Sequence, residues 1–214
     1  MKIVINFFLF SFCIIQLSFA QKFIEPYTGI QADLTNKKYN FKQLNAGVQF
    51  TLRQRSEYEL IFQLQKSLPM AVHGADSAFT ANPNLPLFTV APKTIRPSAL
   101  SIAVGHRFLI TGKKKNDALY ILLFTGLVFQ KISATYTYDK ANYTILNPSR
   151  TLNKGGIYIS AGAGYIHRLK HNRLFCQLTV SSPPIRKNDS YPMAFSFMSA
   201  LAFNAGYSIF LSKK

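Results

Sequence analysis

The chain of 214 residues carries 25 Lys and Arg against 8 Asp and Glu, a formal net charge of +17, with two cysteines and no tryptophan. One of those cysteines, Cys13, lies in an apolar N-terminal stretch, so the remainder, with Cys176 alone, excludes a small fold stapled by internal disulfides. The length is that of a single domain, and the basic excess invites a nucleic-acid partner.

Lys2 supplies a positive n-region, Ile3 to Leu17 is mostly apolar, and Ser18-Phe19-Ala20 is a small-x-small cleavage site before Gln21. Residues 1–20 therefore read as a signal peptide, and residues 21–214 as the exported domain. An N-terminal anchor fits less well, because the apolar core is short for a spanning helix and no charged flank stops transfer. Export also takes the chain away from nucleic acid.

Period-two alternation then recurs along the chain, the signature of strands whose successive side chains face opposite ways. The first strand runs from about Ile24 to Leu34, with Tyr27, Gly29, Gln31 and Asp33 on its polar face. A second, Lys42 to Arg53, alternates Leu44, Ala46, Val48, Phe50 and Leu52 with Gln43, Asn45, Gly47, Gln49 and Thr51. A third, Glu57 to Lys66, sets Tyr58, Leu60, Phe62 and Leu64 against Glu57, Glu59, Gln63 and Gln65. The segment Ser67 to Arg96 holds Pro69, Pro83, Pro86 and Pro92 and is expected to be an irregular loop.

A fourth strand, Ser98 to Ile110, alternates Leu100, Ile102, Val104, His106 and Phe108 with Ser101, Ala103, Gly105 and Arg107. A fifth begins at Ala118 and extends as far as Tyr138, apolar on both faces at first, which leaves its register open. Gly155 to Arg168 and Leu174 to Ser181 make the sixth and seventh, with Arg168 and Gln177 on polar faces. The closing strand lies in Phe195 to Ser212, where one face is large and apolar and the other is small and uncharged.

The count is about eight. The connections after the second, fourth and sixth strands are short and basic, and those after the third, fifth and seventh are long and proline-bearing. Alternation alone does not say which face is wet, since a secreted soluble β-barrel binding an apolar ligand has the same period. Gly and Ala crowding the polar faces, with few charges of both signs there, favour a lumen over a solvated surface. The fold class expected is all-β: an up-and-down antiparallel transmembrane β-barrel.

These features resemble the small outer-membrane β-barrel proteins of Gram-negative bacteria, and the Lys-, Asn-, Phe- and Tyr-rich style is similar to the outer-membrane β-barrel domains of Bacteroidetes. The resemblance implies an outer-membrane location after cleavage near Ala20, with outer-membrane lipids and the barrel-assembly machinery as partners. Gly206, Ile209 and Leu211 resemble the assembly signal of a closing strand, although the chain ends Ser212-Lys213-Lys214 rather than on an aromatic. A basic rim beside anionic headgroups accounts for the charge without nucleic acid.

Several sites follow as expectations. Asp33, Glu59, Gln63, Arg107, Arg168 and Gln177 are placed to form a lumen network, and an eight-stranded interior is only just filled by side chains, so little conductance is expected. Tyr27, Tyr58, Tyr165 and Tyr207 are placed for interfacial girdles. His106 and Arg107 point to opposite faces and cannot share a site. No His has metal-ligand spacing, and no cofactor is implied. The catalytic residue types gather only at His73, Asp76 and Ser77, the basis for an alternative rim enzyme acting on lipid or peptide. The preferred reading is a non-enzymatic barrel with a plugged lumen, its segment 67–96 meeting a protein partner or the cell exterior.

Overall fold

The computed structural model describes residues 21–33, 42–55, 57–68, 70–110, 116–146, 148, 152–182 and 200–212. The expected signal peptide 1–20 lies outside them, as do much of the first and last long connections and most of the second basic turn.

Among these residues nine strands form: β1 (Gln21–Asp33), β2 (Lys42–Arg55), β3 (Tyr58–Leu68), β4 (Val72–Phe79), β5 (Phe88–Leu109), β6 (Asp117–Tyr136), β7 (Leu152–Leu169), β8 (Asn172–Ser181) and β9 (Ala200–Ser212). Hydrogen bonding runs β3-β2-β1-β9-β8-β7-β6-β5, and β3 pairs β5 antiparallel to close the ring. The fold is a closed, eight-stranded, antiparallel up-and-down barrel. Closure leaves no edge within the ring, the condition for strands to cross a bilayer. The two ends of the barrel sequence meet near the hairpin turns, with Gln21 opposite Arg53 and Lys22 opposite Ser212.

The ninth strand corrects the expectation that 67–96 is irregular. β4 pairs with the far half of β5, from Val72 opposite Ile95 to Phe79 opposite Phe88, so β3 and β4 stand end to end along one edge of a single long strand. Two prolines lie within β5 because their missing donors fall where no bond is needed. The Pro92 carbonyl accepts from Thr137 N at 2.9 Å, one residue beyond the end of β6, so its absent N–H is lost only at the last rung. By strand alternation, Pro97 directs its donor position to the opposite edge, into the gap between the end of β3 and the start of β4. β4 and the far parts of β5 and β6 thus form a three-stranded wall standing beyond the barrel.

The register of β6 is uniform along its length, from Leu109 opposite Tyr120 to Lys93 opposite Tyr136. Its inward face is itself largely apolar: Ala118, Tyr120, Leu122, Phe124 and Val128 are buried and belong to one apolar cluster that also holds Tyr27, Tyr158 and Phe175. The sequence is greasy on both faces because one face lines a packed interior and the other faces outward.

Candidate functional site

Burial is inside-out relative to a soluble protein. Outward positions expose Ile30, Leu44, Phe62, Leu64, Ile102, Leu123, Leu127, Ile157, Leu178, Phe203 and Ile209, each more than two-fifths accessible, while Glu25, Glu59 and Arg107 are 0 % exposed. On β6 the apolar outward run from Leu119 to Phe129 is about 11 residues, the span a tilted strand needs to cross hydrocarbon, and it is bounded by Asp117 and Lys131. This pattern is that of a transmembrane barrel. It also overturns the soluble alternative, in which the same apolar faces would line the inside.

Inside, the polar residues form two tiers. Nearer the hairpin turns, Arg107 Nη2 meets Glu25 Oε2 at 3.0 Å and Arg107 Nη1 meets Glu59 Oε2 at 3.0 Å. Arg173 donates to both Glu25 and Glu59 from the far wall. Thr51 Oγ1 and Ser208 Oγ donate to Glu25 at 2.9 and 2.8 Å, and Gln49 Oε1 accepts from Arg107 at 3.0 Å. Two guanidinium groups and two carboxylates therefore balance in charge while joining β1, β3, β5 and β8 across the lumen. Ring faces complete the enclosure: Arg107 lies 4.7 Å from the Tyr120 ring centre and Arg173 3.8 Å from that of Phe23. Buried charges persist only when paired and hydrogen-bonded in this way.

The second tier is neutral. Tyr27 Oη donates to Gln65 Oε1 at 2.9 Å and accepts from Gln63 Nε2 at 2.6 Å, while Asn45 Nδ2 donates to Gln31 Oε1 at 3.0 Å. Tyr120 Oη lies 3.3 Å from Gln177 Oε1. A cavity of about 20 Å³, lined by residues that include Gln63, Tyr158, Gln177 and Asn204, lies in this tier and is about one water in size.

Aromatics fit this interior because glycines face them. Tyr27 is directly opposite Gly47, Phe124 opposite Gly105, Tyr120 opposite Gly164 and Phe175 opposite Gly206. In each pair the ring occupies the space a Cβ on the glycine would need. Tyr27 is thus a lumen residue, not part of an interfacial girdle. Tyr58 does face outward, stacked on His106 with ring centres 5.1 Å apart and close to Phe108. Tyr165 and Tyr207 bond Asp117 and Asn172 near the turn end of the wall.

The residues singled out from sequence separate in space. Glu59 and Arg107 belong to the charged tier, and Gln63 and Gln177 to the neutral one. Arg168 is on the inward-facing set at the turn end of β7, opposite Arg173, and its Nε has no partner among the described residues. Asp33 ends β1, and its side chain lies outside the described residues. Glu25 and Arg173 were not singled out. Glu25 lies two residues before Tyr27, inside the first expected strand and on the same face, and Arg173 shares parity with Gln177 one residue before the seventh, so period two finds the first as it stands and the second when that strand is extended by one residue.

His73, Asp76 and Ser77 do not converge. They lie on β4, where His73 and Ser77 face outward from the wall and Asp76 faces its inner side. There Asp76 accepts from Lys93 Nζ at 3.2 Å and from Tyr136 Oη at 2.9 Å, while His73 Nδ1 lies 3.3 Å from Thr94 Oγ1. His73 and Ser77 therefore share a face that the Asp76 carboxylate does not. Among the described residues, no group of three or more His, Cys, Asp or Glu gathers to hold a metal.

The wall has its own small core of Ala78, Ala91 and Ile145, with Tyr136, Tyr138 and Tyr143 against it. The 137–146 connection folds back onto it. Phe79 and Thr144 exchange backbone bonds at 2.8 Å, and Tyr143 Oη donates to Pro86 O at 3.3 Å. Asn142 Nδ2 and the Ala141 amide donate to Asp139, pinning the bend and holding its carboxyl below the usual carboxylate range. At the tip Leu87, Phe88, Val90 and Leu146 are each more than three-fifths exposed.

No protein-family model matches the sequence, and no curated protein matches it. Solved structures similar to the chain include the attachment invasion locus protein Ail of Yersinia pestis in complex with the heparin analogue sucrose octasulfate, at 10% identity and a TM-score of 0.43, covering 88% of this chain and 96% of that one. The N-terminal β-barrel domain of Pseudomonas aeruginosa OprF is similar at 10% identity and a TM-score of 0.43, covering 88% and 97%. The strand ladder, rather than these likenesses, defines the fold described above.

Proposed function

We propose that this chain is an integral outer-membrane protein without enzymatic activity, a rigid barrel that carries the β4–β5 hairpin as a binding element at the cell exterior. The inside-out burial carries this reading: an apolar outer wall encloses a charge-balanced tetrad at 0–3 % exposure. Two tiers of packed side chains, with a cavity of about one water in the neutral tier, support a lumen shut to ions. Arg168, on an inward-facing position at the turn end of β7, and Asp33, from the alternation of the sequence alone, are proposed as its outlying members.

The binding element is proposed from its surface. Soluble surfaces rarely gather apolar side chains without a partner, and the tip of the wall presents Leu87, Phe88, Val90 and Leu146 together with Phe79. A protein partner, or an apolar surface outside the cell, fits that tip. Export through a signal peptide cleaved near Ala20, and delivery by the barrel-assembly machinery through Gly206, Ile209 and Leu211, belong to the same reading. Ile209 and Leu211 point outward, and Gly206 receives the Phe175 ring. Composition supports a Bacteroidetes-type barrel domain.

Membrane fractionation with gel mobility tests the reading. The protein is expected in the outer-membrane fraction after carbonate washing, migrating faster unheated than boiled, and silent in planar bilayers. Recovery as soluble protein, or steady single-channel current, overturns it.

A further inference from the structure

The outer wall carries a groove of about 550 Å³ across β3, β5, β6 and β7, at the end away from the hairpin turns. Register fixes its floor. Lys66 stands opposite Leu100, Leu100 opposite Phe129, and Phe129 opposite Gly155, one row across four strands. Gly155 ends the row without a side chain. A Cβ there would only reach ordinary contact with the Phe129 ring, at 3.7 Å, so the space beside that ring is open, unlike the space above the lumen glycines.

The next row toward the rim sets Ser98 opposite Lys131 and Lys131 opposite Asn153. Ser98 Oγ donates to the backbone carbonyl of Lys131 at 3.3 Å, which holds this row together. Toward the middle of the wall the outward residues are Ile102, Leu127 and Ile157, and away from it they are polar. The groove therefore straddles the line where hydrocarbon meets headgroups.

Its charge is unanswered from within. Among the described side chains, carboxylates sit in the lumen (Glu25, Glu59), at the turn end (Glu57, Asp117), inside the wall (Asp76) and in its connection (Asp139), and none faces outward at this rim. Neither Lys66 nor Lys131 has an acidic partner among the described residues.

We infer that this groove binds a phosphate-bearing lipid of the surrounding leaflet. An acyl chain lies along Leu100 and Phe129 over Gly155, and the phosphate sits between Lys66 and Lys131, with Asn153 as a neutral donor. Only an amphiphile reaches a groove that opens onto hydrocarbon, and two ammonium groups without a carboxylate select an anionic head. The inference rests on the membrane reading above.

The folded full chain in a neutral detergent, shown closed by its heat-modifiable mobility, is titrated with diphosphorylated lipid A, with its dephosphorylated form and with inorganic phosphate, and read by native mass spectrometry. One phosphorylated lipid is expected to stay bound, with at least tenfold weaker retention of the dephosphorylated form and in the K66Q/K131Q variant. Gly155→Leu fills the hollow at unchanged charge and is expected to weaken retention as well. Equal retention by wild type and K66Q/K131Q, equal binding of the two lipids, or displacement of the lipid by equimolar inorganic phosphate overturns the site while leaving the barrel intact. A chain that never closes in detergent overturns the membrane reading instead.

Discussion

The Tyr27 ring occupies the space a side chain on Gly47 would need, the two residues facing each other across β1 and β2. The Tyr27 hydroxyl, carried past Gly47, then reaches Gln63 and Gln65 on β3. Gly47→Val is expected to displace the ring and cost about 1–3 kcal/mol, the usual penalty of overpacking, plus the loss of the amide tier's organising hydroxyl. Urea unfolding in lipid vesicles, followed by heat-modifiable mobility, measures it. A variant as stable as wild type means that the ring has room to move and the tier is loosely held.

Arg107 ties Glu25 and Glu59 together, so Arg107→Met leaves two carboxylates with a single guanidinium. Removing one partner of a buried ionic group costs about 3–5 kcal/mol. The same change in a water-filled lumen would cost far less, because solvent would screen the orphaned charge. Equilibrium unfolding of R107M therefore reports how dry the lumen is, and bilayer recordings of the same variant report whether it has opened.

Leu123 lies near the middle of the outward apolar run of β6 and is 47% exposed. Leu123→Lys is expected to destabilise the barrel by about 2–4 kcal/mol, the cost of a basic side chain on the lipid face at mid-membrane. In a soluble protein an exposed Leu→Lys change is close to neutral. Unchanged stability in vesicles contradicts the transmembrane reading.

Topology follows from labelling. Asn84→Cys in the β4–β5 loop is expected to react with a membrane-impermeant maleimide on intact cells, and Lys170→Cys in the β7–β8 turn only after permeabilisation. The native Cys176 faces the apolar side of β8, between Leu174 and Leu178, and supplies the low background. Reversed accessibility places the wall on the periplasmic side.

Most of the barrel was legible because one physical rule, alternation, governs every spanning strand. Glu59, Gln63, Gln177 and Arg107 were placed on inward faces by counting in twos. The same rule covers Glu25, which lies inside the first strand on the face of Tyr27 although that face is counted only from Tyr27, whereas Arg173 escapes it because a basic turn claims the residue before Leu174. β4 was hidden for a different reason. Prolines weigh against a ladder when read along the chain, and only the positions of the neighbouring strand ends show that Pro92 and Pro97 withhold donors no neighbour requires. The candidate triad separates because Asp76 has the opposite parity to His73 and Ser77 on β4, so the carboxylate turns to the inner side of the wall while the other two turn outward. Tyr27 was misread because an aromatic near a strand end looks the same from either side of the wall until the opposing glycine is known.

β5 is a single strand of 22 residues, and only the stretch from about Leu100 to Phe108 is needed to cross hydrocarbon. The rest, Phe88 to Ala99, amounts to roughly 40 Å of backbone at strand rise, paired with β4 from Phe88 to Ile95 and with β6 from Lys93 inward. Such a spar sets a stand-off distance: whatever meets its greasy tip is engaged well clear of the bilayer rather than in its plane. Taking out matched residue pairs from β4 and β5 would shorten the reach in steps while leaving the tip itself unchanged, turning reach into a quantity that can be varied by itself.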